Sequence, residues 1–595
     1  MRPEQAIWES QAAAVLRRAR RLPADAPDEA VWATLTRTTV EGIPVPPLGL
    51  PGPAPSVDDG RRNGPSGGWQ IRAAVVDSDP DRAADTALAE WQDDSDSLWI
   101  RIGGAGVAPD DLTRALHLLP LDAVPVVLEA SGATSDIQAA RAFSAVLERR
   151  GLRPAGAGSL GGDPLGRLVR RRGTGPEVEP AVRDLAALAT DLGIGALVVD
   201  GTAVHDAGAG DAGELGYVLA GCVAYLRVLE SIGVTVSAAL ALLQVRLAAT
   251  DEEFSTIAKF RAARLLLARV TELCGGQGEP APPIHAVTSG PMMTRYDPWT
   301  NLLRTTVAAF GAGVGGADVL TVQPFDAALG IPDQRSRRWA RNISSLLIAE
   351  SHVADVRDPA GGAWAIETLT DRIADAAWAA FLEIDRGAGI AGRAQDGSLT
   401  AIFAPTAAER TRRINTRRQP ITGISEFPLA GEQLLNRPPH REPVDGRDHQ
   451  TPSWAAGFET LRDRPSASVF VATLGRLADY NARSGFVVNA FTAGGIGVIE
   501  AGPTRTADEV IQRYRARPSP VVCLAGPDAT YADRGAEVIA GLRAAGAARV
   551  VLAGRPAGDL ADLVDDHIAA DDDVLAFLLR TRQALATDPG SENHR

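Results

Sequence analysis

A chain of 595 residues is too long to fold around one hydrophobic core, so two or more domains are expected. Hydrophobic residues make up 45% and charged residues 23%, ordinary values for a globular protein. A net charge of −14, with arginines scattered rather than clustered, leaves no basic footprint, so no nucleic-acid partner is expected.

The first forty residues open with "PEQAIWESQAAAVLRRARRL", where Ala6, Ile7, Ala13, Val15 and Leu16 recur at helical spacing. From Glu41 to Gly68 follows a stretch too rich in Pro and Gly to be a packed element by itself. Residues 1–68 read as a helix and an extended arm of the kind that wraps a partner or runs along its own domain. Between Trp69 and Val322 short apolar runs alternate with Ala/Leu-rich helical segments. Strands are expected at 71–76, 97–102, 124–130, 195–201, 282–290 and 317–325, with weaker ones near 153–157 and 233–237. The runs are continuously apolar, as strands covered on both faces of a parallel sheet must be. About eight β/α units over this length fit a (β/α)8 TIM barrel, which with its following helices occupies 69–435.

A polar, Pro- and Arg-rich segment then reads as a linker over 436–465. Beyond it, strands at 468–475, 496–502, 520–526 and 548–554, with helices at 531–545 and 573–586, make 466–595 a small doubly wound domain of the flavodoxin-like kind. No apolar run of about 18 residues and no basic-then-apolar opening segment occurs. A soluble, cytoplasmic protein without membrane contact is expected. Cys222, Cys274 and Cys523 match no disulfide or zinc spacing, so no metal site is expected either.

Several segments carry a resemblance. "GIPVPPL" (42–48) looks like GIPxxPLY, and "AKFRAARLL" (258–266) is similar to AKLRAARLLW. "HAVTSG" with "DPWTNLLRTT" (285–290, 297–306) resembles HxQTSGxSLTxQDxYNNxxRT. "FDAALGIP" and "ARNISSLLIAES" (325–332, 340–351) follow LDEALxLP and ARNTQxxLQxES. "DPAGGAW" (358–364) stands where DPWGGSY would. In order along most of the chain, these motifs are those of the adenosylcobalamin-dependent methylmalonyl-CoA mutase family. The resemblance implies a barrel that binds acyl-CoA along its axis and a cobalamin-binding flavodoxin-like domain.

The family's functional residues are mostly replaced. Its cobalamin motif, D-x-H-x-x-G, falls on Asp479, Asn481 and Gly485, with one residue too many before the glycine. Asn lacks the imidazole nitrogen that cobalt needs, and the next histidine, His567, is expected far off on a surface loop. No cofactor is therefore expected in this chain. The Tyr-His pair of GYHxxEAG becomes Thr202 and Ala203, and His205, two residues on, points elsewhere, so no catalytic residue is expected. Of RPWTIRQ, Trp69 and Arg72 survive. An Arg-Leu-Ser-Phe stretch falls on Leu242–Val245, and the histidine of LHTNxLDEAL becomes Thr321. His285 remains, and a carboxylate-binding Arg falls within 170–172. Trp69, Arg72 and His285 are thus candidate remnants of a substrate site.

Scaffold segments match while site residues are lost, so the scaffold is still of use. The family includes a heterodimer of an active large subunit and an inactive small one, and this chain resembles the small one. The resemblance implies a large-subunit partner that carries adenosylcobalamin and interconverts methylmalonyl-CoA and succinyl-CoA. Two alternatives stand beside it: an active acyl-CoA mutase binding cobalamin without the His ligand, and a subunit that senses CoA esters.

Overall fold

The short apolar runs close into a barrel of eight parallel strands. The computed structural model describes residues 3–52, 65, 67–173, 177–440 and 453–586. The barrel strands are β1 (Gln70–Val75), β2 (Ser97–Ile102), β3 (Val126–Ala130), β4 (Ser159–Gly162), β5 (Gly195–Asp200), β6 (Leu243–Ala249), β7 (Ile284–Thr288) and β8 (Val319–Thr321). Each is paired in parallel with the next, and β8 closes on β1. Every residue of β6 and β7 is buried, which is why no polar alternation marks them in the sequence.

Two strands lie elsewhere than expected. The run near 153–157 precedes the true strand, β4, and the run near 233–237 leads into a helical turn, Val236–Ala241, before β6. Gly161, at φ +62°, brings the β4 backbone against the Leu128 carbonyl of β3. The register of β4 against β5 shifts between Ser159 and Gly162, so β4 is bulged and too short for periodicity to reveal it. β6 is hidden differently: "ALALLQVRLAA" is apolar from helix into strand, with no break in the pattern.

At the N-terminal end, α1 (Pro3–Arg18) and α2 (Ala30–Leu35) build a small core of their own from Ala13, Leu16, Leu22 and Val31. Trp8 and Trp32 stack beside it at 4.8 Å, and the Trp32 indole donates to Glu9 at 2.7 Å. Ile7 and Val15 remain exposed on α1. The described part of the proline-rich arm makes contacts with this chain's own barrel unit. Glu41 accepts hydrogen bonds from the Ala212 and Gly213 amides in the first turn of α3 (Asp211–Ser231), at 3.0 and 2.8 Å. Arg372 donates to the Pro44 carbonyl. The reason is electrostatic: the first amides of a helix have no intrahelical acceptor, and a carboxylate there also meets the positive end of the helix dipole. The Glu41→Ala variant should lose about 1–2 kcal/mol of barrel stability, read as a lower urea midpoint at unchanged slope. Residues 53–64 of the arm lie outside the described residues.

Helix α3 is long and apolar enough to cross a membrane, although the sequence reading found no such run; 83% of its apolar window is buried inside the barrel unit. It packs with α4 (Glu253–Leu273) and α5 (Trp364–Asp385). Arg261 of α4, 1% exposed, donates to both Asp358 oxygens and to both Glu367 oxygens, tying α4 to α5 and to the loop before it.

The second unit holds a parallel five-stranded sheet: β9 (Ser466–Thr473), β10 (Ile496–Glu500), β11 (Val521–Ala525), β12 (Arg549–Ala553) and β13 (Asp566–Ile568), in the order β10-β9-β11-β12-β13. Its two faces carry separate cores, one around Phe458, Phe491 and Phe577 and one around Phe470, Tyr514 and Leu542. Residues 291–301 and 408–436, expected in the barrel domain, cluster with this unit, and 437–440 cluster with the barrel. The expected linker, 436–465, is no free tether where it is described. Arg437 pairs with Asp326 and Asp333, the Ile331 amide donates to the Pro438 carbonyl at 2.8 Å, and Ala456–Arg462 is a helix. Composition alone marked the segment as solvated; these ion pairs and backbone bonds pin it.

Candidate functional site: the barrel axis and the C-terminal crevice

The barrel axis is filled by this chain's own side chains. Arg246 of β6 and Trp99 of β2 come from opposite walls and stack at 4.0 Å across the lumen. His285 of β7 meets the Trp99 ring edge-on at 5.6 Å. Toward the strand starts, Arg72 of β1 donates to Ser97 Oγ at 3.0 Å and reaches across the axis to Gln244 Oε1 at 3.1 Å. Arg72, Arg246 and His285 are at most 3% exposed.

The hydrogen bonds fix the state of His285. Thr321 Oγ1 donates to the Arg72 carbonyl, so it accepts from Nε2–H of His285, and Nδ1 is left to accept from Arg246 Nε. Burial, with Arg72 and Arg246 nearby, pushes the imidazole pKa well below its ordinary value, so the ring is neutral. Burial and the neighbouring Arg246 also lower the Arg72 guanidinium to about 9. Of the three expected substrate remnants, Arg72 and His285 do line the axis, but each is consumed by partners within the chain. Trp69 does not line it: the side chain packs on Gly313 and its indole donates to Ser344 Oγ at 3.2 Å.

At the carboxyl ends of the strands, where barrel enzymes place their chemistry, the polar groups are also paired. Asp200 at the end of β5 accepts from Arg246 at 2.9 Å and from Arg170 at 2.7 Å. Against the cost of burial, these two guanidiniums hold its carboxyl well below the usual range. Thr202 donates to Asp200 at 2.6 Å, and Ala203 is buried with no polar group to offer. Arg170, the carboxylate-binding candidate, is spent on Asp200 and Thr202. His205 turns away, Nε2 to Ser289 Oγ at 2.8 Å and Nδ1 to Glu214 at 3.5 Å. The order Ser–His–Glu has the form of a nucleophilic relay, but Ser289 and His205 are each 2% exposed and Glu214 is held by Lys259. It is a buried polar network. Above it, Arg101 and Glu129 pair at 3.1 Å.

Sequence reasoning missed Trp99, Asp200 and Arg246. The available signal was an arginine or aspartate inside or closing an otherwise apolar strand, as in "LQVRLAA" and "GALVVD".

In the second unit, ligands of an open parallel sheet sit where the strand order reverses, here beyond the ends of β9 and β11. That crevice is closed. Leu474, just after β9, occupies the space a side chain on Gly526 would need. Arg483 fills the neighbouring space, donating to the Gly526 carbonyl at 2.7 Å and to Asp528 and lying 5.0 Å over Tyr531.

The remnant cobalamin motif is not a loop. Helix α6 (Leu477–Ala493) begins before it, so Asp479, Asn481 and Gly485 are all helical. The Asp479 carboxylate caps the helix by accepting from the Arg476 amide at 2.9 Å. Asn481 is exposed, and a Cβ added to Gly485 would meet open space, so the backbone has no need of glycine there. His567, expected on a surface loop, lies in the edge strand β13. These residues do not fit a corrin with an imidazole below its cobalt: a rigid helix stands where the ligand-bearing loop would have to reach. Among the described residues no cluster of His, Cys, Asp and Glu could hold a metal ion.

Residues 84–494 match the family model described as methylmalonyl-CoA mutase. The chain is 42% identical over 555 residues to the methylmalonyl-CoA mutase small subunit of Streptomyces virginiae, covering 90% of this chain and 88% of that one. It is 40% identical to the probable methylmalonyl-CoA mutase small subunit of Mycobacterium tuberculosis strain H37Rv, covering 91% and 89%. It is also 32% identical to the methylmalonyl-CoA mutase small subunit of Propionibacterium freudenreichii subsp. shermanii, covering 97% and 94%. On sequence and on fold, this chain belongs to the methylmalonyl-CoA mutase family.

Proposed function

We propose that this chain is the non-catalytic small subunit of a heterodimeric methylmalonyl-CoA mutase and acts by stabilising a catalytic large subunit in the cytoplasm. The partner binds adenosylcobalamin and acyl-CoA and interconverts methylmalonyl-CoA and succinyl-CoA; this chain supplies no residue to that chemistry. The observation that carries the reading is the filled axis, where Trp99 and Arg246 stack across the space a thioester chain would need. The closed crevice and the helical course of Asp479–Gly485 support the cofactor half of it. The names of the relatives support the assembly. The N-terminal pair α1 and α2 is the partner-holding element in this reading: it has its own core and shows Ile7 and Val15 to the outside.

The test is visible absorbance after gel filtration, for the chain alone and co-expressed with a family member that retains D-x-H-x-x-G and GYHxxEAG. The chain alone should stay colourless, and the pair should co-elute red and active. Deleting residues 3–35 should separate the pair without unfolding the barrel. Cobalamin retained by the chain alone near one equivalent would overturn the proposal.

A further inference from the structure

The charges in the barrel axis do not balance. Arg246 and Arg170 share the carboxylate of Asp200, and Arg170 also pairs with Asp163 at 3.7 Å, which leaves Arg72 as the guanidinium without a carboxylate. Arg72, 3% exposed, is bonded only to the neutral side chains of Ser97 and Gln244. His285, neutral, contributes nothing. Burying a guanidinium without a counter-charge is costly, and burying one of its N–H groups without an acceptor adds to that cost.

Two donors in this same cluster have no acceptor. Nη2 of Arg246 is buried and makes no hydrogen bond, and neither does the buried indole Nε1–H of Trp99. They belong to the two side chains stacked at 4.0 Å across the axis, so both orphan donors lie within one small region. Arg72 adds its charge from the adjacent layer, where burial and the nearby Arg246 lower its pKa. Two donors of the cluster thus lack an acceptor, and the Arg72 guanidinium beside them lacks a carboxylate.

We propose that the barrel axis holds a small inorganic anion of the halide class, accepting from Arg246 Nη2 and Trp99 Nε1 and neutralising the excess charge of Arg72. The anion is structural. It makes the stability of the barrel depend on the anion in solution. A water molecule would satisfy the donors but not the charge, which separates the two occupants energetically. This inference concerns the interior of the chain and holds whether or not the partner assignment is right.

The test uses the full chain, as purified or with its partner. Thermal unfolding is followed in sodium chloride and sodium bromide against sodium gluconate at equal ionic strength, which keeps screening constant. The halides should raise the midpoint in a saturating manner, as a ligand of the native state does. In Trp99→Phe, which keeps the ring beneath Arg246 and removes the Nε1 donor, half-saturation should move to roughly tenfold higher halide, the weight of one hydrogen bond to a charged acceptor. Bromide-soaked crystals of the wild-type chain should show an anomalous peak within hydrogen-bond reach of both donors, a readout that does not depend on the variant folding. A halide response identical in Trp99→Phe, or a bromide-soaked axis holding only water, would overturn the proposal.

Discussion

Lys259→Met should cost the barrel unit about 3–5 kcal/mol, a large share of the stability of any single domain. Lys259 is 1% exposed and donates to Glu214, itself fully buried, and to the Ala248 carbonyl at 2.9 Å, with Asp211 at 3.3 Å. Met matches its length and fills its volume, so little of the loss comes from packing. The loss comes from Glu214, left as a buried carboxylate with only the Ala248 amide at 2.7 Å and His205 beside it. The double variant Lys259→Met with Glu214→Gln should recover part of the deficit, because it removes the stranded charge. Urea unfolding of both single variants and the double closes the cycle. A single-variant loss below about 1 kcal/mol would mean that solvent or a proton relieves Glu214 at little cost.

The second large effect is expected at Gly161→Ala, a single methyl group. Gly161 sits in the left-handed region at φ +62°, and a Cβ there would overlap the Leu128 carbonyl oxygen of β3. Since that atom is backbone in a closed barrel, it cannot swing aside. Left-handed strain of about 1–2 kcal/mol adds to an overpacking cost of about 1–3 kcal/mol. The outcome is checked by the urea midpoint together with far-ultraviolet circular dichroism, which should show the barrel present but less stable. Gly151, also left-handed but facing open space at the end of a helix, is the control, because its alanine variant bears the strain alone.

The difference between these two glycines also marks what could be read before the fold was known. Gly151 follows a clear amphipathic helix and announces a helix end. Gly161 lies in "AGAGSLGGD", where nothing local distinguishes the residue that must approach another strand from its neighbours. Six of the eight barrel strands were legible because each is an apolar run bounded by turn residues; β4 is too short and bulged to show a pattern, and β6 has no boundary on its N-terminal side. The candidate site was legible in what it had lost. Thr202, Ala203 and Asn481 stand where the family motifs carry Tyr, His and His, and that can be read from residue type alone. What took the vacated space was not legible. Trp99, Arg246 and Asp200 come from three separated strands, and only barrel closure brings them together. Trp69 and Arg72, three residues apart in one extended run, go to opposite sides of the barrel wall because strand side chains alternate. Asp479 kept its identity and changed its task, from steadying an imidazole in the family motif to capping a helix here.

Lys259 is the chain's only lysine, and it lies sealed between α3, α4 and β6. The folded surface therefore offers no lysine to acylating reagents, to amine cross-linkers or to enzymes that modify such side chains. Reaction at Lys259 requires the barrel unit to open first, so its labelling rate under native conditions counts those openings. Cross-linking maps of any assembly containing this chain will need carboxylate- or arginine-directed chemistry.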